Sequence, residues 1–285
     1  MVISGKLLQF LVCSGKIYTN LPEGVRPLAY TDPFLARGID ISPEDQEILN
    51  LWHTWEPAGR GYAVPKQMSF EEAMGYEDFN EDNFRGFPGG ESVFFWDTEE
   101  ISAVVGYYYT GPLKGTVYML HGPTDLSPKF LSLRRFADYY RRILREYPEE
   151  GSPTREEKFW EDIDFNDNQP LTPEEVERFH KAAQELISLW KEEGLQEDWY
   201  ENLGFCICAV LPDCFAEELL PFLNRNEDEY ALEVLCRKLV KAGCTQAIPA
   251  MEQLAEAEKK GLRIGGWSDC HVARDALAAL KKLES

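Results

Sequence analysis

Three short apolar runs, Ser92–Trp96, Ile101–Tyr109 and Thr116–Leu120, follow one another in the first half of the chain. They are rich in Val, Phe and Tyr, side chains that fit a pleated, half-buried surface. The links between them are short: Asp97–Glu100 is polar, and Thr110–Gly115 holds Gly-Pro and Lys-Gly turn signals. The pattern predicts an antiparallel meander. A helix is expected next, with Leu131, Phe136, Tyr140 and Ile143 on one side and Arg134, Arg135, Arg141, Arg142 and Arg145 over the rest. Then the pattern changes for good. Glu146–Glu157 (EYPEEGSPTREE) is rich in Pro, Gly and charge and reads as a domain boundary. Past it, Val176, Phe179, Ala183, Leu186, Ile187 and Trp190 follow the helical period, as do Ala216, Leu219, Leu220 and Leu223 and the later runs to Leu280. The fold class is therefore α+β. Residues 1–150 form an antiparallel sheet with packed helices, and residues 151–285 an all-α domain of helical hairpins.

Upstream of the meander, helix starts are legible. Ser42 stands as an N-cap before Pro43, with Glu44 and Asp45 near the positive end of the dipole. Ser69 does the same before Glu71 and Glu72. Gly89-Gly90 invites comparison with a phosphate-cradling loop. Such a loop needs a lysine and a helix N-terminus after it. Here Glu91 and a strand follow, so the glycines read as a turn with positive φ at the start of the sheet.

A length of 285 residues suits two domains of ordinary size. No stretch reaches ~18 consecutive apolar residues, so no membrane-spanning helix is expected. The opening MVISGKLLQFLVCSG has no cleavage pattern and reads as a core segment rather than a signal peptide. Seven cysteines, six of them in the second half without a regular framework, point to free thiols in a reducing cytosol. The net charge is −21, with 22 acids against 14 bases in residues 1–150 and 28 against 15 in residues 151–285. Nucleic acid would be repelled. A basic protein partner would be attracted, although acidity can also serve solubility alone.

Four constellations could carry chemistry, each beside a plainer account. Asp164, Asn166, Asn168, Thr172 and Glu175 fall at the ligand spacing of a calcium loop, but Gln169 stands where the sharp turn wants Gly. Alternatively Thr172, Pro173 and Glu175 form a capping box. Cys206, Cys208 and Cys214, with Cys236, Cys244, Cys270 and His271, could hold zinc. Yet Cys-x-Cys inside an apolar run suits two small buried hydrophobes better than a chelating turn. His53, His121, His180 and His271 stand in no catalytic motif. Finally, Glu71, Glu72, Glu77, Asp78, Glu81 and Asp82 crowd one stretch with Phe70, Tyr76, Phe79 and Phe84 between them. Carboxylates that steer and aromatics that anchor suit docking on a basic surface. The same composition suits a solvated loop whose aromatics face the core.

The order of elements carries a resemblance. Gly115, Val117 and Tyr118 match a strand of the type G-x-V-Y/W, and Ser132, Phe136 and Tyr140 match the helix after it, with Leu133 in place of the usual aromatic. Over residues 60–147 this resembles the SUKH superfamily, which includes the yeast cell-wall-synthesis regulators and many bacterial immunity proteins. The resemblance implies an α+β binding domain without catalytic residues, often paired with a toxin nuclease or deaminase domain. The Leu/Ala-rich helices after the boundary are similar to HEAT-type repeats, of which about two units would fit. The expectation is a cytosolic, non-enzymatic protein-binding module without cofactor, in its concrete form an acidic immunity protein neutralising a basic toxin domain. A regulatory or scaffolding subunit, and an enzyme or metal-dependent switch, remain the other readings.

Overall fold

The computed structural model describes residues 28–56, 65–76, 86–98, 103–120, 125–147, 159, 169–191, 197–224, 229–260 and 272–284, and the fold is α+β. Helix α1 (Asp32–Arg37) opens it. Helix α2 (Pro43–Leu51) starts as its sequence requires: Ser42 Oγ accepts the Asp45 N–H, and Pro43 fills the first position. A 3₁₀ turn, Trp52–Thr54, extends it. Strand β1 (Lys66–Gln67) leads to α3 (Phe70–Gly75), which begins with a capping box between Ser69 and Glu72. The meander β2 (Ser92–Asp97), β3 (Val104–Tyr108), β4 (Val117–Leu120) and β5 (Pro128–Phe130) follows, then α4 (Leu133–Glu146). The sheet order is β1-β2-β3-β4-β5, and every neighbouring pair is antiparallel. The two edge strands leave no pattern in the sequence because each is too short to show one, and β5 opens on a proline, a residue confined to edges.

Two glycines are needed for the sheet to close. Gly90 has a φ of 134°, and a Cβ there would lie 2.1 Å from the Thr110 carbonyl oxygen. Its own N–H bonds the Phe87 carbonyl, so the turn reading holds. Gly106 on β3 lies under the Tyr118 ring, 2.2 Å from where a Cβ would stand. That ring reaches across to bond Ser92 Oγ at 2.7 Å.

The register shifts between Phe94 and Trp96, a bulge that inserts Phe95. Phe94 meets Tyr76 and Tyr118 on one face. Phe95 meets Phe34 of α1, and Trp96 meets Trp52 and Phe136, on the helix side. Trp52 is the hub there, with Phe136 and Tyr140 of α4 at 5.2 and 4.7 Å between ring centroids.

The second half is helical: α5 (Pro173–Trp190), α6 (Glu197–Val210), a 3₁₀ run Asp213–Asn224, α7 (Glu229–Lys241), a 3₁₀ turn Thr245–Ala247, α8 (Ile248–Lys259) and α9 (Val272–Glu284). Sequential helices pair, α5 on α6, α6 on α7 and α8 on α9. The run Asp213–Asn224 tightens to 3₁₀ where an ordinary helix was expected; Pro221 inside it cannot donate to an α-helical ladder.

These helices join the sheet directly. Every residue of β3 and β4 is buried. Asn202 Oδ1 of α6 accepts the Leu126 N–H at 2.8 Å, just before β5, and the Cys206 thiol reaches the Leu126 carbonyl. Trp199 lies against Gly86. One hydrophobic cluster runs from Phe34 to Leu280.

Candidate functional site

Where the two halves meet, a cleft of ≈ 590 Å³ opens between the first turns of α2 and α4, the β3–β4 turn and the outer face of α5. Asp45 forms its floor and is only 9% exposed. Its Oδ2 accepts from the Tyr107 hydroxyl at 2.7 Å and from the Ser42 hydroxyl at 2.8 Å. Burial raises the Asp45 pKa, and the bonds from Tyr107 and Ser42 only partly oppose it. Burial also pushes the Tyr107 phenol up, with Asp45 adding to the effect.

A carboxyl whose pKa is higher in the fold than in the open chain binds its proton more tightly when folded. It favours the fold below its unfolded pKa and loses that contribution as pH rises through the folded value. Asp45→Asn imitates the protonated group at all pH. In urea unfolding, the stability of the Asn variant relative to the native chain is expected to rise as pH climbs above about 4. A difference flat in pH would mean that Asp45 is not strained by its burial.

The cleft walls are charged in both signs. Arg134 pairs with Glu44 at 2.6 Å, Lys114 with Asp40, and Arg178 donates to the Lys114 carbonyl. Behind them lies Arg135, expected on the surface of α4 but with its side chain only 8% exposed. Its guanidinium donates to the Gln169 and Pro170 carbonyls and to Glu175 Oε2 at 3.0 Å. Glu175 also closes the predicted capping box: its Oε2 takes the Thr172 N–H, and Thr172 Oγ1 takes the Glu175 N–H. Burial works upward on the Glu175 carboxyl, but the Thr172 N–H and Arg135 outweigh it and hold the pKa below the usual range. The oxygen a calcium loop would use is thus already committed to two donors. Asp164, Asn166 and Asn168 lie outside the described residues.

Of the predicted acidic stretch, Glu71 and Glu72 stand exposed in the first turn of α3. The Glu72 carboxylate takes the Ser69 N–H at 2.7 Å, so it serves the helix start. Glu77, Asp78, Glu81 and Asp82 lie outside the described residues, as do Phe79 and Phe84. Phe70 and Tyr76 turn inward. Phe70 meets Phe34 edge-on, and the Tyr76 hydroxyl donates to Asp97 Oδ2 at 3.2 Å beside Phe94.

Cys206, Cys208 and Cys236 are buried. Burial pushes the thiols of Cys208 and Cys236 up to about 12 and that of Cys206 well above its ordinary value. Among the described residues no group of three or more His, Cys, Asp or Glu is placed to hold a metal. His180 stacks on Phe215, with Nε2 2.6 Å from Glu218. His53 is exposed, and His121, His271 and Cys270 lie outside the described residues. No described helix is long and apolar enough to cross a membrane. No family model, curated protein or solved structure matches the chain.

Proposed function

We propose that the chain is a non-enzymatic protein-binding module acting in the cytosol on a basic protein, in its concrete form an immunity protein that masks a toxin nuclease or deaminase domain. The observation that carries the reading is charge: 50 acidic against 29 basic residues, with Glu71 exposed where the acidic stretch begins and without a hydrogen bond or ion pair among the described residues. The element order supports it as well. A strand at Val117–Leu120 leads to a Ser132-capped helix packed on the sheet, the arrangement the SUKH resemblance implies. The acidic stretch Glu71–Asp82 steers the encounter, and carboxylates stand in for the phosphates of the toxin's substrate.

Capture from native extract at low salt is expected to retain a single small basic protein that is released at high salt. Its association rate should fall by about tenfold or more between the two conditions, as steered association does. A rate indifferent to salt would remove the steering mechanism. Retention of several unrelated, salt-resistant proteins would point instead to a scaffolding subunit.

A further inference from the structure

The outer side of α4 carries the opposite sign from the molecule as a whole. Leu133–Glu146 holds five arginines against Asp138 and Glu146, in a chain of net charge −21. Three of the five are occupied: Arg135 in the seam, Arg134 on Glu44, and Arg142 over the Tyr139 ring with Glu146 at 4.0 Å. Arg141 and Arg145 are exposed one turn apart, and among the described residues neither has a carboxylate partner.

Arg141 is nevertheless held in place. Its guanidinium lies over the half-buried Trp55 ring, 5.0 Å from the centroid. Trp55 in turn leans on the buried Trp52 at 5.6 Å. Leu51, four residues before Trp55 across the 3₁₀ turn, is 45% exposed. The surface therefore combines an aligned guanidinium, a second arginine, an indole edge and an exposed leucine.

We propose that this patch docks an acidic segment of a partner protein. Carboxylates of the segment meet Arg141 and Arg145, and an aliphatic side chain rests on Leu51 and Trp55. Charge complementarity selects this occupant. The attraction is local to the two arginines: a short acidic segment brings few charges against the rest of the surface, whereas a second copy of the chain brings −21 and a nucleic acid brings a long run of phosphates, and both are repelled more strongly. A carboxylate matches the guanidinium fork in pairs of hydrogen bonds. Trp and Arg are also the side chains in which interface energy concentrates. Because Trp55 already aligns Arg141, little freedom is lost on binding. The proposal is independent of the acidic stretch on α3 and gives the protein a second partner of opposite sign.

The test uses the full chain and a fluorescein-labelled, Glu-rich peptide carrying a single Leu, followed by fluorescence anisotropy. Saturable binding is expected. Joint Arg141→Glu and Arg145→Glu should weaken it by about tenfold or more, while Lys241→Glu, exposed at the end of α7, leaves it unchanged. The Trp55 indole N–H signal, assigned in NMR spectra through Trp55→Phe, should move with saturation. No binding, or equal losses from the α4 and α7 reversals, overturns the proposal. So does binding to phosphatidylserine vesicles but not to the peptide. A concentration-dependent dimer in sedimentation velocity, abolished by the α4 reversals, would assign the face to a second copy and also overturn it.

Discussion

Cutting the chain after Tyr147 is expected to leave a fragment that cannot hold its fold. The cut falls at the end of α4, where composition alone suggests a boundary. The contacts cross that boundary in several places. Arg135 would lose the Gln169 and Pro170 carbonyls and Glu175, and Leu126 would lose Asn202 and Cys206. Tyr139 would lose the Phe159 carbonyl that its hydroxyl bonds. Each large side chain returned to water forfeits about 1.5–3 kcal/mol, against a total stability of about 5–15 kcal/mol for an ordinary domain. Fragment 1–147 should therefore bind a hydrophobic dye, lack near-ultraviolet circular dichroism and aggregate. A monomeric fragment with cooperative unfolding would show instead that the sheet half is self-sufficient and that the crossing bonds only dock one stable body on another.

The parts of this architecture that sequence predicts well are those written locally. The caps at Ser42, Ser69 and Thr172 are each set by a side chain and an N–H three residues apart, so pattern alone finds them. The meander is legible because its strands repeat one residue class between turns. Nothing near Arg135 in sequence marks it as buried, because its acceptors lie 34 to 40 residues on. In sequence Asp45 reads as an acid favouring the helix dipole, whereas its tie to Tyr107 spans 62 residues. The acidic stretch shows only in composition, and composition does not say which way a ring points. Phe70 and Tyr76 face the core. In sequence the arginines of α4 only cover the rest of the helix around its apolar side, whereas the pairing of Arg141 with Trp55 depends on how α2 lies against α4.

Trp52→Ala is the point substitution from which the largest loss is expected. Trp52 is fully buried, and its ring touches those of Trp96, Phe136, Tyr140 and Trp55. Truncation opens a cavity where α2, α4 and the sheet converge, and such changes cost about 3–5 kcal/mol. Urea unfolding should show a loss of that order, with a Tm lower by roughly 10 °C. Trp52→Phe should cost distinctly less. It keeps an aromatic ring against Phe136 and removes an indole N–H that has no hydrogen-bond partner among the described residues, and a buried donor left unpaired costs about 1–3 kcal/mol. Leu51→Ala, next to it but exposed, should stay within about 0.5 kcal/mol of the native chain. The ranking Ala, then Phe, then the neighbouring leucine follows from burial and geometry alone. If Trp52→Ala cost no more than Leu51→Ala, α2 would not be fixed to the sheet through Trp52, and the alignment of Trp55 beneath Arg141 would lose its physical basis.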